Sequence, residues 1–201
     1  MKIFKVLAIA AFFSSPVIAA ETPLPAPSGT YVSDPAHSSV IWKIKHLGLS
    51  NYTARFTRMT ADLSWNSENP SASKLTATID PASVQTAYPF PEKENFDQEI
   101  GTSEPFLGGQ PIRFVSTSVE ITGDNRGKVT GNLTFRGQTH PTTLDVTFNG
   151  SMAEQPGSKT PKIGFSAIAM LKRSEWGLAP NIKSVGSEVT VIIETEFQPA
   201  K

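Results

Sequence analysis

Alternation of apolar and polar residues with a period of two is the strongest pattern in this sequence. In residues 126–136, Val129, Leu133 and Phe135 fall on one side of an extended chain, and the residues between them are mostly polar. Successive side chains of a β-strand point to opposite faces, so this pattern predicts a strand with one buried and one solvated face. Seven further segments carry a similar pattern. The predicted strands are 37–47, 53–65, 74–80, 112–121, 126–136, 141–149, 162–172 and 187–197.

Two of these segments depart from strict alternation. In 53–65, the regular spacing from Met59 to Trp65 leaves Phe56 out of phase. Either a bulge or an outward-facing Phe56 would account for this. In 112–121, both phases carry apolar residues, so the pattern does not choose an inner face.

The connections indicate how the strands are arranged. Short turns rich in Gly and Asn, at 124–127, 136–137, 149–150 and 156–157, separate several of the strands, which favours antiparallel pairing. Eight antiparallel strands, each with one apolar face, either pack as a sandwich or close into a barrel, and closure removes exposed edges. The sequence therefore predicts an all-β domain.

One long connection interrupts the strands. Residues 80–111 lack a strand pattern, and within them 92–100 is a candidate short helix that begins after Pro91 and ends before Gly101. A connection of this length in a compact β-domain is either a lid or binding loop, or a plain excursion of the chain.

The N-terminal segment predicts export. Residues 1–20 combine two lysines, an eight-residue apolar run from Val6 to Phe13, Pro16 and small residues before a cleavage point, as secretory signal peptides do. The alternative, an uncleaved anchor, is disfavoured because a spanning helix needs about 20 apolar residues. We expect a periplasmic protein in which residues 21–29 form a mobile Pro-rich lead-in and 30–201 form the domain.

Composition and motifs exclude several kinds of chemistry. The 201 residues include no cysteine, which excludes disulfides, thiol nucleophiles and thiolate metal sites. The 18 basic and 18 acidic residues balance, so the charge signature of a nucleic-acid binder is missing. His37, His46 and His140 show no metal-ligand spacing, and no catalytic or phosphate-binding motif is present. We therefore expect no metal, no cofactor and no enzymatic activity.

The inner face of the predicted sheet is the remaining candidate for a binding site. An eight-stranded barrel is either filled by its own side chains or holds one small ligand. Ala77, Gly131, Ala167 and Ala169 occupy positions in phase with apolar strand faces, and small residues there would leave room. The same residues could also build a solid core, so both a lipid-binding protein and a structural or interaction protein stay open.

Several motifs resemble the YceI-like family of periplasmic polyisoprenoid-binding proteins. These motifs are Tyr-Val-Ser-Asp-Pro-Ala-His-Ser at 31–38, Gly-Asn-Leu-Thr-Phe-Arg-Gly-Gln-Thr-His-Pro at 131–141, Gly-Phe-Ser-Ala at 164–167, Lys-Arg-Ser-Glu-Trp-Gly at 172–177 and Val-Gly-Ser-Glu-Val-Thr at 185–190. The match spans about Thr30 to Phe197. The chain departs from the family where Ala54 replaces a glycine and where residues 104–107 replace an Asp-Phe-Phe-Asp run.

The resemblance implies a lipocalin-like antiparallel barrel around a long isoprenoid or acyl lipid, such as an isoprenoid quinone or polyprenyl lipid. It implies a lipophilic small-molecule partner and an arrangement in which a homodimer is common. The charge balance separately predicts no nucleic-acid partner, and the shortness of the apolar runs predicts no stable membrane insertion. The residues expected to line the apolar tunnel are Val40, Trp42, Ile44, Leu75, Ile79, Phe106, Phe114, Leu133, Phe135, Phe148, Phe165, Ala167, Ala169, Trp176, Val191 and Ile193.

Arg173 is the charged residue that is a candidate for a head-group contact. It is either a contact for a polar or anionic head group or a structural residue in an ion pair with Asp34 or Glu175. The structural alternative is favoured, as it is for Asp34 and His37, which we expect to form hydrogen bonds at a strand entry.

Overall fold

The structure is a computed structural model that describes residues 26–178 and 184–201. The expected signal peptide and residues 21–25 of the lead-in lie outside the described residues. The strands are β1 (Gly29–Ser33), β2 (Ser39–His46), β3 (Ser50–Phe56), β4 (Met59–Trp65), β5 (Lys74–Ile79), β6 (Val84–Gln85), β7 (Ile112–Gly123), β8 (Arg126–Phe135), β9 (Gln138–Met152), β10 (Lys162–Lys172) and β11 (Val185–Pro199), and the helix α1 spans Phe96–Thr102.

The sheet closes because β11 pairs with the first strands of the chain. Its Ile192 lies opposite Ile41 of β2, and its Gln198 lies opposite Val32 of β1. The pairs β1/β2, β3/β4 and β5/β6 each form one barrel strand with a single break, since β1 pairs with β4 and β2 with β3. With β7 to β11 they make a closed antiparallel barrel of eight strands. The prediction of a barrel with a short helix in the 80–111 connection is confirmed.

The first barrel strand begins earlier than the sequence indicates. Strand β1 falls in a stretch where no strand is predicted, and a short 3-10 turn over Pro35–His37 separates it from β2. Part of the expected Pro-rich lead-in contacts the barrel. Ala26 is fully buried, its carbonyl accepts a hydrogen bond from Trp65 Nε1 (3.3 Å), and Gly29 already belongs to β1.

A break in the second barrel strand explains the phase of Phe56. Strand β3 ends at Phe56 and β4 begins at Met59, and both side chains lie on the cavity wall. Between them, the N–H of Thr57 donates to the Ser83 carbonyl (3.1 Å) and the N–H of Arg58 donates to Ser83 Oγ (3.0 Å). Because Phe56 and Met59 are three positions apart, the break shifts the inward phase from even to odd numbers. Phe56 therefore faces inward, and the outward alternative is wrong.

A register shift resolves the ambiguity in β7. The pairing of β7 with β8 shifts between Ser116 and Ser118. Phe114 faces inward before the shift, and Val119 and Ile121 line the interior after it, so the inner phase changes from even to odd numbers. A bulge of this kind leaves apolar residues in both phases of the sequence.

The helix lies within the long connection but starts later than Pro91. Its N-cap is Asn95, whose side chain accepts a hydrogen bond from the N–H of Gln98 (3.1 Å). Gly101 lies inside the helix, where a Cβ would come within 2.8 Å of the Pro81 carbonyl oxygen. The absence of a side chain at Gly101 lets α1 pack closely against the chain that follows β5.

The strand directions define two ends of the barrel. The β2–β3 hairpin, the connection that contains α1, the β8–β9 turn and the chain after β10 lie at one end, which we call the lid end. The start of β1, the end of β11 and the β7–β8 hairpin lie at the other, which we call the terminal end.

Candidate functional site

The interior of the barrel is a cavity of about 1440 Å³. It runs from residues of the lid end, such as Tyr88 and Leu178, to residues of the terminal end, such as Asn125. Trp42, Phe148 and Val191 point inward but are only partly buried, because their free surface faces this space. The barrel is therefore hollow.

All sixteen residues expected to line a tunnel, and Arg173, lie on the wall of this cavity. Their role as ligand contacts stays a prediction. Sequence reasoning missed other wall residues because they flank a strand break, belong to a strand whose inner face was ambiguous, or lie outside the predicted strands. Among those missed are Tyr52, Phe56, Met59, Leu107, Ile112 and Leu178.

Small residues keep part of the lumen open. Ala77, Ala167 and Ala169 lie on the cavity wall, as their phase in the sequence predicts. The fourth small residue, Gly131, has a different role. A Cβ on Gly131 would lie 2.5 Å from Phe114 Cζ and 2.5 Å from the Val115 carbonyl oxygen, so the Phe114 ring occupies the space that the missing side chain leaves.

We predict that Gly131→Ala destabilises the protein by about 1–3 kcal/mol, near the upper end because a strand carbonyl cannot move aside. Urea unfolding of the variant measures this loss. Gly123→Ala is the matched control, since its Cβ would meet nothing closer than Arg126 Cβ at 3.9 Å. Equal unfolding midpoints for the two variants would contradict the close packing of Phe114 over Gly131.

Aromatic rings form the wall toward the terminal end. Trp65 stacks on Phe148 with ring centroids 6.1 Å apart, and Phe165 contacts Trp65, Phe148 and Phe197 at 6.1, 5.6 and 6.0 Å. Offset and edge-to-face ring pairs of this kind fix side chains in place. This part of the wall is a preformed apolar surface.

The connection that contains α1 covers the lid end. Phe96, Ile100, Phe106 and Leu107 from this connection pack against Val40 and the other wall residues of that end. The connection is therefore a lid over the cavity and not a plain excursion of the chain. The aromatic residue of the altered 104–107 run, Phe106, lines the cavity as expected.

Arg136 anchors this lid, and sequence reasoning did not single it out. Its guanidinium donates to the main-chain carbonyls of Glu104 and Phe106, to the Trp176 carbonyl (3.3 Å) and to the Glu104 carboxylate (2.7 Å). Arg136 precedes Gly137 in the β8–β9 turn, and both have positive φ. The signal in the sequence was a charged residue in a tight turn inside the 131–141 motif.

Arg173 holds the chain at the same end. Its Nε donates to the Gly186 carbonyl (2.8 Å), and its two terminal nitrogens donate to the carbonyls of Val185 (2.8 Å) and Leu178. Burial lowers the pKa of the guanidinium. These bonds support the structural alternative for Arg173. The acceptors named here are main-chain carbonyl oxygens, whereas the expected partners were carboxylates.

Asp34 takes Lys162 as its ion-pair partner, not Arg173. Lys162 Nζ lies 2.5 Å from Asp34 Oδ2 and also donates to Gln198 Oε1 (3.2 Å). Asp34 caps the turn after β1, accepting from the N–H of Ala36 (3.0 Å) and pairing with His37 Nδ1 (3.0 Å). Hydrogen bonds from Lys162 and then from His37 hold the pKa of the Asp34 carboxyl well below its usual range. This pair joins β10 to the junction of β1 and β2.

The histidines do not converge in the part of the chain that the structure describes. His46 lies on the cavity wall, His140 packs edge-on against Trp176 with centroids 5.0 Å apart, and His37 is largely exposed. His37, Asp34 and Glu196 bring ligand-type atoms within 4.8 Å of one another. In this cluster the Lys162 ammonium pairs with Asp34, and His37 Nδ1 lies 3.0 Å from Asp34 Oδ2 and 3.9 Å from Glu196 Oε2.

Across the described ranges 26–178 and 184–201, none of the helices has the length and apolar character needed to cross a membrane.

Comparison with known proteins identifies a matching family and several similar proteins. The family model of the YceI-like domain matches residues 31–197. A Pseudomonas putida protein named UPF0312 is 33% identical over 162 residues, which cover 79% of this chain and 80% of that protein. The crystal structure of the Campylobacter jejuni YceI protein superposes with a TM-score of 0.65 at 28% identity, covering 79% of this chain and 91% of that one.

A more distant structure shares the fold alone. A polyisoprenoid binding domain from Saccharophagus degradans, implicated in plant cell wall breakdown, superposes with a TM-score of 0.51 at 14% identity and covers 85% of this chain and 98% of that one. The match of the family model to nearly all of the barrel, together with the curated relatives, shows that this chain belongs to the YceI-like family.

Proposed function

We propose that this protein binds one long isoprenoid or acyl lipid in the barrel cavity and carries it without turnover. The observation that supports the proposal is the apolar cavity of about 1440 Å³. Sites for drug-sized ligands occupy about 300–1,000 Å³, so this cavity suits a larger molecule. Its length from one barrel end to the other favours an extended chain.

The physical chemistry of the wall favours a hydrocarbon. Removing each CH₂ group from water stabilises the bound state by about 0.8 kcal/mol. Ordering a flexible chain and restricting its motion offset much of this gain. The cavity therefore selects for a long, thin, apolar shape and discriminates weakly between chain lengths, since one methylene is worth only about 1–3 kcal/mol.

An isoprenoid is the first candidate for the ligand. The support is the polyisoprenoid binding domain from Saccharophagus degradans, whose fold this chain shares. An acyl chain fits the same wall by the same argument. A solid barrel that acts only through its surface is disfavoured by the volume of the cavity. We further propose that the protein works in the periplasm, because residues 1–20 have the composition of a signal peptide.

Organic extraction of the purified protein followed by mass spectrometry tests the proposal. We expect a co-purified isoprenoid or acyl chain, and we expect the delipidated protein to take up a lipophilic fluorescent dye that a polyprenyl lipid displaces. A preparation that is repeatedly free of lipid and does not take up the dye would overturn the proposed function.

A further inference from the structure

Two leucines at the tip of the β2–β3 hairpin are exposed. Leu47 is 54% exposed and Leu49 is 85% exposed, and Leu49 has the largest exposed fraction among the large hydrophobic residues of the described chain. Single exposed apolar residues are ordinary on protein surfaces. Exposure alone therefore assigns no role to residues 47–49, which we call the leucine tip.

The backbone of the leucine tip gives a second, independent observation. Leu47 has φ +51° and Gly48 has φ +72°, and the N–H of Leu49 donates to the His46 carbonyl (2.9 Å). A hairpin turn with two positive φ values favours Asn-Gly, and a leucine in the left-handed region is disfavoured. Neither burial nor turn geometry explains a leucine at position 47.

The leucine tip adjoins the cavity. His46, the residue before it, lies on the cavity wall, as does Val185 at the start of β11. The N–H of Leu47 donates to the carbonyl of Ser184 (2.6 Å), which fixes the tip beside that strand. The exposed leucines therefore stand at the edge of the lid end.

The small area of the leucine tip decides between two classes of occupant. A stable protein interface buries about 800 Å² on each partner. Two leucine side chains on a narrow turn offer much less than that, which disfavours a second copy of the chain or another folded protein. Binding to the interface of a bilayer has no such minimum area, because its strength scales with the apolar area that is buried.

We propose that the leucine tip docks reversibly in the surface of a lipid bilayer, with the lid end of the cavity facing the membrane. This inference rests on the proposed function, because a lipid cargo must pass between a bilayer and the cavity. Two leucines give shallow and transient contact, far weaker than a spanning helix. The contact places the cavity edge where a lipid chain can leave the membrane with little exposure to water.

Flotation with phosphatidylcholine vesicles tests the docking. We expect the double variant Leu47→Asn/Leu49→Thr to lower the vesicle partition coefficient at least about tenfold. Folding is protected in this variant, since Asn-Gly is the favoured pair for the turn. The matched control is Ile168→Thr, which removes an apolar side chain that is 48% exposed on the outer wall of β10. We expect its partition coefficient to equal that of the wild type.

Any one of the following results would overturn the docking. They are a wild-type protein that does not float with vesicles, a double variant that floats as well as the wild type, and an equal loss in the Ile168→Thr control. Binding that needs added phosphatidylglycerol and ignores the leucines would also overturn it, since charge would then drive the contact. Dye uptake, measured on the same samples, separates the two proposals. If the wild type does not take up the dye, the proposed function is overturned. If uptake is normal but vesicle binding does not depend on the leucines, only the docking is overturned.

Discussion

The variant Lys162→Met is expected to lose about 3–5 kcal/mol of stability, which is the usual cost of removing one partner of a buried ion pair. Lys162 and Asp34 are both buried, and their side chains are only 8% and 12% exposed. Removal of the ammonium leaves a poorly solvated carboxylate whose remaining side-chain and main-chain partners, among the described residues, are His37 and the N–H of Ala36. Urea unfolding at neutral pH measures the loss.

An exposed pair supplies the control for this prediction. Lys128 and Asp145 lie 3.6 Å apart with side chains that are 51% and 73% exposed. Solvent and salt screen such a pair, so Lys128→Met should change stability by less than about 1 kcal/mol. If both methionine variants unfold at the same urea concentration, the pair between Asp34 and Lys162 does not stabilise the barrel.

The difference in stability between the wild type and Lys162→Met also depends on pH. Hydrogen bonds from Lys162 and His37 hold the pKa of Asp34 below its value in the unfolded chain, which is about 3.9. A carboxyl whose folded pKa is depressed adds stability that is fully present above the unfolded pKa and is lost as the pH falls toward the folded pKa. The wild type and Lys162→Met should therefore differ most at neutral pH and converge below about pH 4. A difference that stays constant down to pH 2 would contradict the ionic origin of the stabilisation.

Local sequence patterns predicted the strands of the barrel well because each strand has one face toward the interior and one toward solvent. Alternation located eight barrel strands, and the long connection between β5 and β7 was recognised as the exception. Irregularities were visible only as breaks in phase. Phe56 and the mixed faces of β7 indicated that something interrupts the alternation, but the two-residue break and the register shift depend on pairing with neighbouring strands.

Long-range contacts explain what the sequence did not predict. Lys162 and Asp34 are 128 positions apart, and Lys162 lies in the polar phase of its strand, where a solvated lysine is the ordinary expectation. Gly131 was assigned to open space because its phase is inward, but its role depends on the Phe114 ring of the neighbouring strand. The wall of the cavity was predictable from phase, whereas the cavity itself was not, since the same residues could have filled it.

The variant Ala169→Phe is expected to abolish lipid uptake, because it places an aromatic ring in the lumen. Ala169 lies on the cavity wall and packs in the cluster that includes Leu144 and Trp176. Its Cβ points inward, so a larger side chain at this position either enters the cavity or strains its neighbours. Displacement of a bound lipophilic dye should show at least about a tenfold loss of affinity, comparable to the penalty of about 1–3 kcal/mol for overpacking.

The neighbouring residue on the same strand supplies the control for this substitution. Ile168 points outward and is 48% exposed, so Ile168→Phe adds an aromatic ring to β10 without touching the lumen. We expect unchanged uptake for Ile168→Phe, and urea unfolding of both variants separates loss of binding from loss of folding. A folded Ala169→Phe protein that takes up dye with the wild-type affinity would contradict this prediction. It would show that the bound molecule does not contact this part of the cavity wall.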